Sequence, residues 1–196
     1  MTSTPLRDLR PIVISGPSGV GKGTLIDMIS AAHPGTFGLT VSHTTRKPRN
    51  GEVEGVNYYY VSPSDFSLLV SQDAFAEHAS FSGHSYGTSK QAIADQSAKG
   101  LVAILDIEME GVKQMKASLG AQARYVFIKP PSFEALEARL RSRGTENEDQ
   151  IQKRLAQARV ELEFADTPGV HDLVIANDDL DRAFRELEAF VFRPAS

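Results

Sequence analysis

The sequence predicts an α/β chain: a parallel sheet with helices on both faces, a small inserted lobe of short strands, and a helical lid. Three observations predict it. Through the second half, apolar runs of strand length alternate with stretches of helical spacing, the pattern of a sheet whose strands are joined by crossover helices. At the start, Pro11–Ile29 (PIVISGPSGVGKGTLIDMI) passes from a β-branched run through four glycines into a helix. Between residues 37 and 88 the alternation breaks into short strands and polar turns, as expected of an insertion.

The elements follow in order. Ile12, Val13, Ile14 and Ser15 read as a buried strand running into a loop with Gly16, Gly19, Gly21 and Gly23, and Thr24, Leu25, Met28 and Ile29 take up helical spacing. His33-Pro34-Gly35 stops that helix. Residues 37–42 read as a strand, 43–55 as a loop broken by Pro48, Asn50-Gly51 and Glu54-Gly55, and 56–61 as a second strand. Ser62, Pro63 and Asp65 cap a helix through Val70. Two short strands flank Ser82-Gly83, and a helix over 89–99 ends at Gly100. Leu101–Ile107 is a strand buried on both faces, followed by a helix over 109–118 and a strand over 124–129. Helices are predicted over 132–143 and 146–165, the second with Thr145 and Glu148 as its capping box. A strand over 173–176 precedes a last helix capped by Asp178 and ending at Phe192.

Bulk properties narrow the function classes. At 196 residues, with 41% hydrophobic and 23% charged residues, the chain has the size and composition of one globular domain. A net charge of −4 and an isoelectric point near 5.7 argue against nucleic-acid binding, which needs a basic face. The absence of cysteine excludes disulfides and thiolate metal sites and fits a reducing compartment. No apolar run approaches the ~20 residues of a membrane span. The N-terminal stretch carries no apolar signal segment, so a cytoplasmic protein is expected.

The chemistry concentrates in four places. Strand, glycine loop and helix in succession make a P-loop, whose bare backbone and helix N-terminus converge on phosphate while Lys22 supplies a mobile positive charge. Gly23 stands where the general motif has a hydroxyl, with Thr24 after it, so Mg²⁺ is expected on phosphate oxygens, water, Thr24 or a distant carboxylate. Arg46 and Arg49 lie three apart in a loop with Tyr58 nearby, a set that suits a phosphate, although two arginines in a polar loop are more often merely solvated. Glu77, between apolar neighbours, suits the adjacent N1–H and N2–H₂ donors of guanine; taken alone, the segment reads more simply as an edge-strand charge facing water. Asp106 ends the buried strand where a carboxylate meets a metal or its waters, and Glu108 follows. Arg139 and Arg143 share a helical face, with Arg154 on the next helix and a break at Gly144-Thr145 able to serve as a hinge; the pair reads as a lid over phosphates or as a solvent-facing amphipathic hairpin. Arg141 points away from that face.

The segments GPSGVGKGT, VSHTTRKPRNGEVEGVNY, FSGHSYGT, ILDIEMEGV, RLRSRGTE, KRL and VIANDDL together resemble the guanylate kinases, above all the fungal type, over roughly residues 10–192. The pattern TTRxPRxGEVxGxxY is the specific part; a P-loop alone is shared by many nucleotide-binding proteins. A monomer with no nucleic-acid or membrane partner is expected, and the resemblance implies Mg²⁺-dependent transfer of the ATP γ-phosphoryl group to GMP. It implies one domain with a core (about 1–36, 89–137 and 160–196), a GMP-binding lobe (about 37–88) and a lid (about 138–159). Carried over residue by residue, Arg46, Arg49, Tyr58 and Tyr86 match the GMP-phosphate ligands, and Ser42, Glu77 and Thr88 the guanine readers, with Gly87, Asp106 and Glu108 beside them. Gly16, Ser18, Gly19, Gly21, Lys22, Gly23 and Thr24 match the ATP-phosphate loop, and Asn177 a position near adenine. Lys22, Arg46, Arg139, Arg143 and Arg154 match the catalytic charges, and Thr24 and Asp106 the metal-side positions. Gly23, Thr88 and Glu108 depart from the commonest pattern, which has serine, serine and aspartate. Two other readings remain: a guanylate-kinase-like module that binds phosphorylated peptides, and a kinase of another monophosphate. The first typically lacks the P-loop lysine or lid arginines, all present here, and Glu77 speaks against the second.

Overall fold

The computed structural model of the protein describes residues 8–81, 83–142 and 147–193. In chain order the elements are β1 (Ile12–Ser15), α1 (Lys22–Ala32), β2 (Phe37–Leu39), β3 (His43–Thr44), β4 (Tyr59–Tyr60), α2 (Pro63–Ser71), β5 (Phe75–Phe81), β6 (His84–Ser89) and α3 (Lys90–Ala98). They continue as β7 (Val102–Asp106), α4 (Met109–Leu119), β8 (Arg124–Lys129), α5 (Phe133–Ser142), α6 (Glu148–Ala165), β9 (Leu173–Ala176) and α7 (Leu180–Val191). Two sheets result. A five-stranded sheet ordered β2-β7-β1-β8-β9 is parallel throughout, and a four-stranded one is ordered β4-β3-β6-β5.

The inner strands of the larger sheet, β7, β1 and β8, are buried on both faces, which is why they read as unbroken apolar runs, whereas edge residues such as Leu39 and Val174 stay exposed. Ile12, Ile14, Ile104, Val126 and Ile128 point to one side, into a cluster completed by α1, α5, α6 and α7. Val13, Ala103, Leu105 and Tyr125 point to the other, against Ile93 of α3 and Val112 and Met115 of α4. On α7, Ala183, Leu187 and Phe190 recur at helical spacing and form its buried stripe. Each large aliphatic side chain buried this way contributes about 1.5–3 kcal/mol.

Several boundaries differ from the sequence reading, each for a local reason. Of residues 37–42 only Phe37–Leu39 is strand: it pairs with β7 in the core sheet as β2, and the chain then crosses to the smaller sheet, where His43–Thr44, at the start of the expected loop, forms β3. The smaller sheet's own strands therefore lie between His43 and Ser89. Of residues 56–61 only Tyr59–Tyr60 is a strand. Val53 N–H through Tyr58 fold into turns, with Gly55 N–H donating to the Tyr58 carbonyl at 2.9 Å, and Val53 and Val56 stay exposed despite their β-branched side chains. Because β3 runs parallel to β4 and antiparallel to β6, that sheet is mixed. The capping box of α6 is Asn147 with Gln150; Thr145 lies outside the described residues. Asp179, not Asp178, caps α7 by accepting from Arg182 N–H at 2.7 Å, while Asp178 accepts from Asp179 N–H.

Arg124 joins the chain's two ends. Its guanidinium, 4% exposed, donates to the carbonyls of Val191 at 2.7 Å, Arg10 at 3.0 Å and Asp8 at 3.3 Å. Burial is the largest influence on it and lowers its pKa from the usual arginine value. Arg124→Leu orphans those carbonyls and should cost about 3 kcal/mol in urea unfolding. Arg182→Gln, which removes only exposed helix pairs with Asp178 and Glu186, should cost less than about 1 kcal/mol. Equal losses would refute the structural weight assigned to Arg124.

Candidate active site

The glycine loop leaves β1 at Gly16, where φ is +142° and a Cβ would lie 2.2 Å from the Ile128 carbonyl oxygen. Only glycine fits. Gly21, with φ +96°, abuts the Asn177 amide in the same way and starts α1, whose first turn has no side-chain cap, so its N–H groups stay open toward the loop. Lys22 follows. Its ammonium donates to the Gly16 carbonyl at 2.6 Å and lies 3.8 Å from Asp106 Oδ1. Asp106 reaches it because β1 and β7 are in register at Ile14↔Asp106, with Ile107 N–H donating to the Ile14 carbonyl at 3.1 Å. Burial pushes the Asp106 carboxyl up, Glu108 adds to the rise, and Lys22 opposes it.

Two cavities meet at this point. One, of about 650 Å³, lies between the smaller sheet and the carboxyl edge of the larger, lined by Ser42, Tyr58, Glu77, Tyr86 and Thr88. The other, of about 610 Å³, holds Gly16, Ser18, Lys22 and Arg154. Asp106, Ile107 and Glu108 line both. Their carboxylates thus form the border between the two. In the first cavity Glu77 Oε1 accepts from Thr88 N–H at 3.0 Å, and Thr88 Oγ1 lies 3.1 Å from Ser42 Oγ. Burial raises the Glu77 carboxyl above its ordinary value, against the opposing hydrogen bonds of Thr88.

Above the first cavity, Tyr58 packs edge-on to Tyr86 at 6.0 Å, and the Arg46 guanidinium lies 5.4 Å from the Tyr58 ring. Glu52 takes Arg46 as a two-pronged pair at 2.8 and 3.0 Å and also accepts from Arg49 N–H at 2.7 Å and Tyr60 O–H at 2.8 Å. Neither predicted arginine lines the cavity: Arg46 stands beside the Tyr58 and Tyr86 rings, and the Arg49 side chain is exposed. The Arg46 fork, foremost among these contacts, holds Glu52 at about 2, far below 4.5.

The lid residues separate. Arg154 of α6 donates to Ser18 Oγ and lines the Lys22 cavity. Arg139 of α5 instead donates to the Asn177 carbonyl at 2.9 Å and, with Gly19, Gly21 and Thr24, lines a third recess of about 410 Å³. Thr24 and Asp106, the two expected metal-side residues, are therefore not brought together; the helical turn after Lys22 carries Thr24 to the far side of the loop. Gly23 is exposed with open space beside it, and Gly87 lines the first cavity. Asn177 is buried and donates to the Val20 carbonyl at 2.7 Å, which fixes its amide to the loop. Arg143 lies outside the described residues. Arg141, off the shared face as expected, pairs with Glu137 at 2.7 Å and Glu148 at 2.5 Å, joining the two helices.

Sequence reasoning missed Glu52 and Glu161. Glu52 sits in the quoted loop motif, but its partners converge only when the turn folds. Glu161 had a readable signal. Ile151, Leu155 and Ala158 recur with the spacing that brings 161–162 to the buried stripe of α6. Glu161 is 7% exposed, lines the Lys22 cavity, accepts from Gln157 at 3.2 Å, and is raised above its ordinary value by burial.

The Glu52 contacts set a pH dependence. A carboxyl at about 2 when folded and 4.5 when free stabilises the fold fully above 4.5, and the gain disappears as pH falls toward 2. The urea-midpoint difference between the protein and Glu52→Gln should therefore be constant above 4.5 and shrink as pH falls from 4.5 toward 2; a difference that grows on acidification would overturn this assignment.

Comparison with known proteins shows the family. The family described as "Guanylate kinase" matches residues 8–193. The guanylate kinase of Schizosaccharomyces pombe is 50% identical over 181 residues, 92% of this chain and 89% of that protein. That of Homo sapiens is 45% identical over 179 residues, 91% of this chain and 90% of that protein. Among solved structures, guanylate kinase from Anaplasma phagocytophilum superposes with a TM-score of 0.64 at 28% identity, covering 95% of this chain and 86% of that one. With the family matched from end to end of the described fold, this chain belongs to the guanylate kinases.

Proposed function

We propose that the protein transfers the γ-phosphoryl group of ATP to GMP, with GMP in the cavity of Glu77 and the ATP phosphates in that of Lys22. The observation that carries this reading is the shared border at Asp106–Glu108: two ligands seated in adjoining cavities meet end to end there. Phosphoryl transfer needs little else. The acceptor oxygen of a phosphate monoester is already nucleophilic, so the protein's work is alignment and charge neutralisation, without a covalent intermediate or a general base.

In this reading Ser42, Glu77 and Thr88 take the guanine edge, and Arg46, Arg49, Tyr58 and Tyr86 take the GMP phosphate. Glu52 already holds Arg46 in place beside the Tyr58 ring. The loop amides, Ser18 and Lys22 bind the ATP phosphates, and Gly21, Thr24 and Asn177 border the recess on the adenine side. Arg154 and Arg143 neutralise the charge of the phosphoryl group in flight, while Arg139 steadies the base side of the loop through Asn177. The segments 37–88 and 138–159 act as lobe and lid, closing to exclude water so that ATP is not spent on hydrolysis.

The donor set suits Mg²⁺. Hard oxygen ligands are at hand in Asp106 and Glu108, and this cation is ordinarily held by one or two carboxylates with phosphates and water. Asp106 and Glu108 would hold it, directly or through water, and when bound it neutralises phosphate charge. Thr24 borders the other recess and has no part in this set.

A phosphopeptide-binding module is the weaker reading, because Lys22 and Arg154 line one cavity directly beside the guanine-side cavity. ATP plus GMP in a coupled ADP assay separates the two. Lys22→Met should lower kcat by about two to three orders of magnitude with GMP affinity nearly unchanged; near-normal turnover would refute the role of Lys22. Guanine binding requires ionised Glu77, and burial raises its pKa above 4.5. KM for GMP should therefore climb as pH falls, starting above 4.5, and a flat profile down to that pH would count against the guanine reading.

A further inference from the structure

β5 is the free edge of the smaller sheet, with β6 its only strand neighbour among the described residues. Its register steps from Phe75↔Ser89 to Glu77↔Thr88, which makes Ala76 an extra residue and the site a β-bulge. The bulge changes which way the side chains point. Phe75 and His78, three residues apart, both lie against Phe66, at 4.6 and 6.3 Å between ring centroids. Ala76 packs instead into the core beside Val13 and Val112, and Glu77 lines the guanine-side cavity. An unbroken strand would put Glu77 on the face of Phe75, away from that cavity.

A bulge on an open edge holds its shape only if its backbone groups find partners. Gln114 of α4 supplies them at His78, two residues beyond the bulged Ala76 and directly after Glu77. Its Nε2 donates to the His78 carbonyl at 2.8 Å, and its Oε1 accepts from His78 N–H at 2.8 Å. One side-chain amide thus makes both hydrogen bonds that a further strand would make, directly after Glu77. One turn earlier, Gly111 brings α4 close enough that a Cβ would stand 3.4 Å from Glu77 Oε2.

We infer that Gln114 is a positioning residue for base selection: by clasping His78 it locks the bulge and fixes the aim of the Glu77 carboxylate. The inference rests on the reading of Glu77 as the guanine reader. With Thr88 N–H on one oxygen and Gln114 on the next peptide, the carboxylate cannot withdraw. Guanine then meets an acceptor at both of its edge donors, and adenine, with an acceptor at N1, meets a repulsive group that does not turn away.

Steady-state kinetics with GMP and AMP test this on Gln114→Met, which keeps length but forms neither hydrogen bond, and Gln114→Glu, which keeps only the acceptor. Gln114→Met should raise KM for GMP about tenfold, the loss expected when a charged hydrogen-bonding group is misaligned. KM for ATP should stay within about twofold and the preference for GMP over AMP should fall, with Gln114→Glu intermediate. Glu77→Gln measured alone and combined with Gln114→Met supplies the decisive readout, since a residue acting through Glu77 adds little once Glu77 is altered. A folded Gln114→Met protein with unchanged KM for GMP and unchanged preference would overturn the inference, as would full additivity with Glu77→Gln or an equal rise in KM for ATP. If Glu77→Gln itself leaves KM and preference untouched, the guanine reading of Glu77 fails instead.

Discussion

The site depends on one constraint, the parallel register that holds β1 between β7 and β8. Ile14 lies opposite Asp106 on one side and Ser15 opposite Phe127 on the other, so the glycine loop must leave the sheet beside the end of β7. Lys22 cannot then avoid Asp106, and the Gly16 backbone runs against the Ile128 carbonyl closely enough to exclude any Cβ. In a parallel sheet every strand delivers its carboxyl end to the same edge, and both cavities open there. A slip of one residue in β7 would turn Asp106 to the other face and separate the cavities from their shared border.

Burial and pairing sort the carboxylates into two kinds. Glu52 accepts four hydrogen bonds, two of them from one guanidinium, and is held far below its ordinary pKa, so it behaves as a permanent anchor for Arg46. Asp106, Glu77 and Glu161 are pushed the other way, because burial removes more hydration than their neighbours replace. All three line one or other cavity. Carboxylates poorly compensated within the protein are those most improved by a ligand that brings donors or cations. The contrast separates scaffold from binding surface on physical grounds, without reference to any relative.

Most of the core was legible in the sequence: Arg124–Lys129, buried on both faces, has the bounds its apolar run predicts, and so does Leu173–Ala176 at the sheet's edge, where Val174 stays exposed. The smaller sheet was less so. Its strands are two to seven residues long, and Val53 and Val56, strand formers by side chain, sit in turns because no partner strand reaches them. Helix starts erred where two candidate caps are neighbours, as at Asp178 and Asp179, because the winner depends on where the preceding strand releases the chain. Of the expected site residues, Lys22, Ser42, Tyr58, Glu77, Tyr86, Thr88, Asp106, Glu108 and Arg154 line the two adjoining cavities, whereas Arg139, Thr24 and Asn177 gather in a third recess.

By itself the sequence determined the glycine loop, the lysine after it and the alternation that builds the parallel sheet, because these follow from local backbone freedom and short-range periodicity. Only the tertiary structure decided which charges meet. Glu52 finds Arg46 through a folded turn, Asp106 finds Lys22 through strand register, and Gln114 finds His78 across 36 residues of chain. Such contacts depend on distances between elements, and no periodicity within one element encodes them.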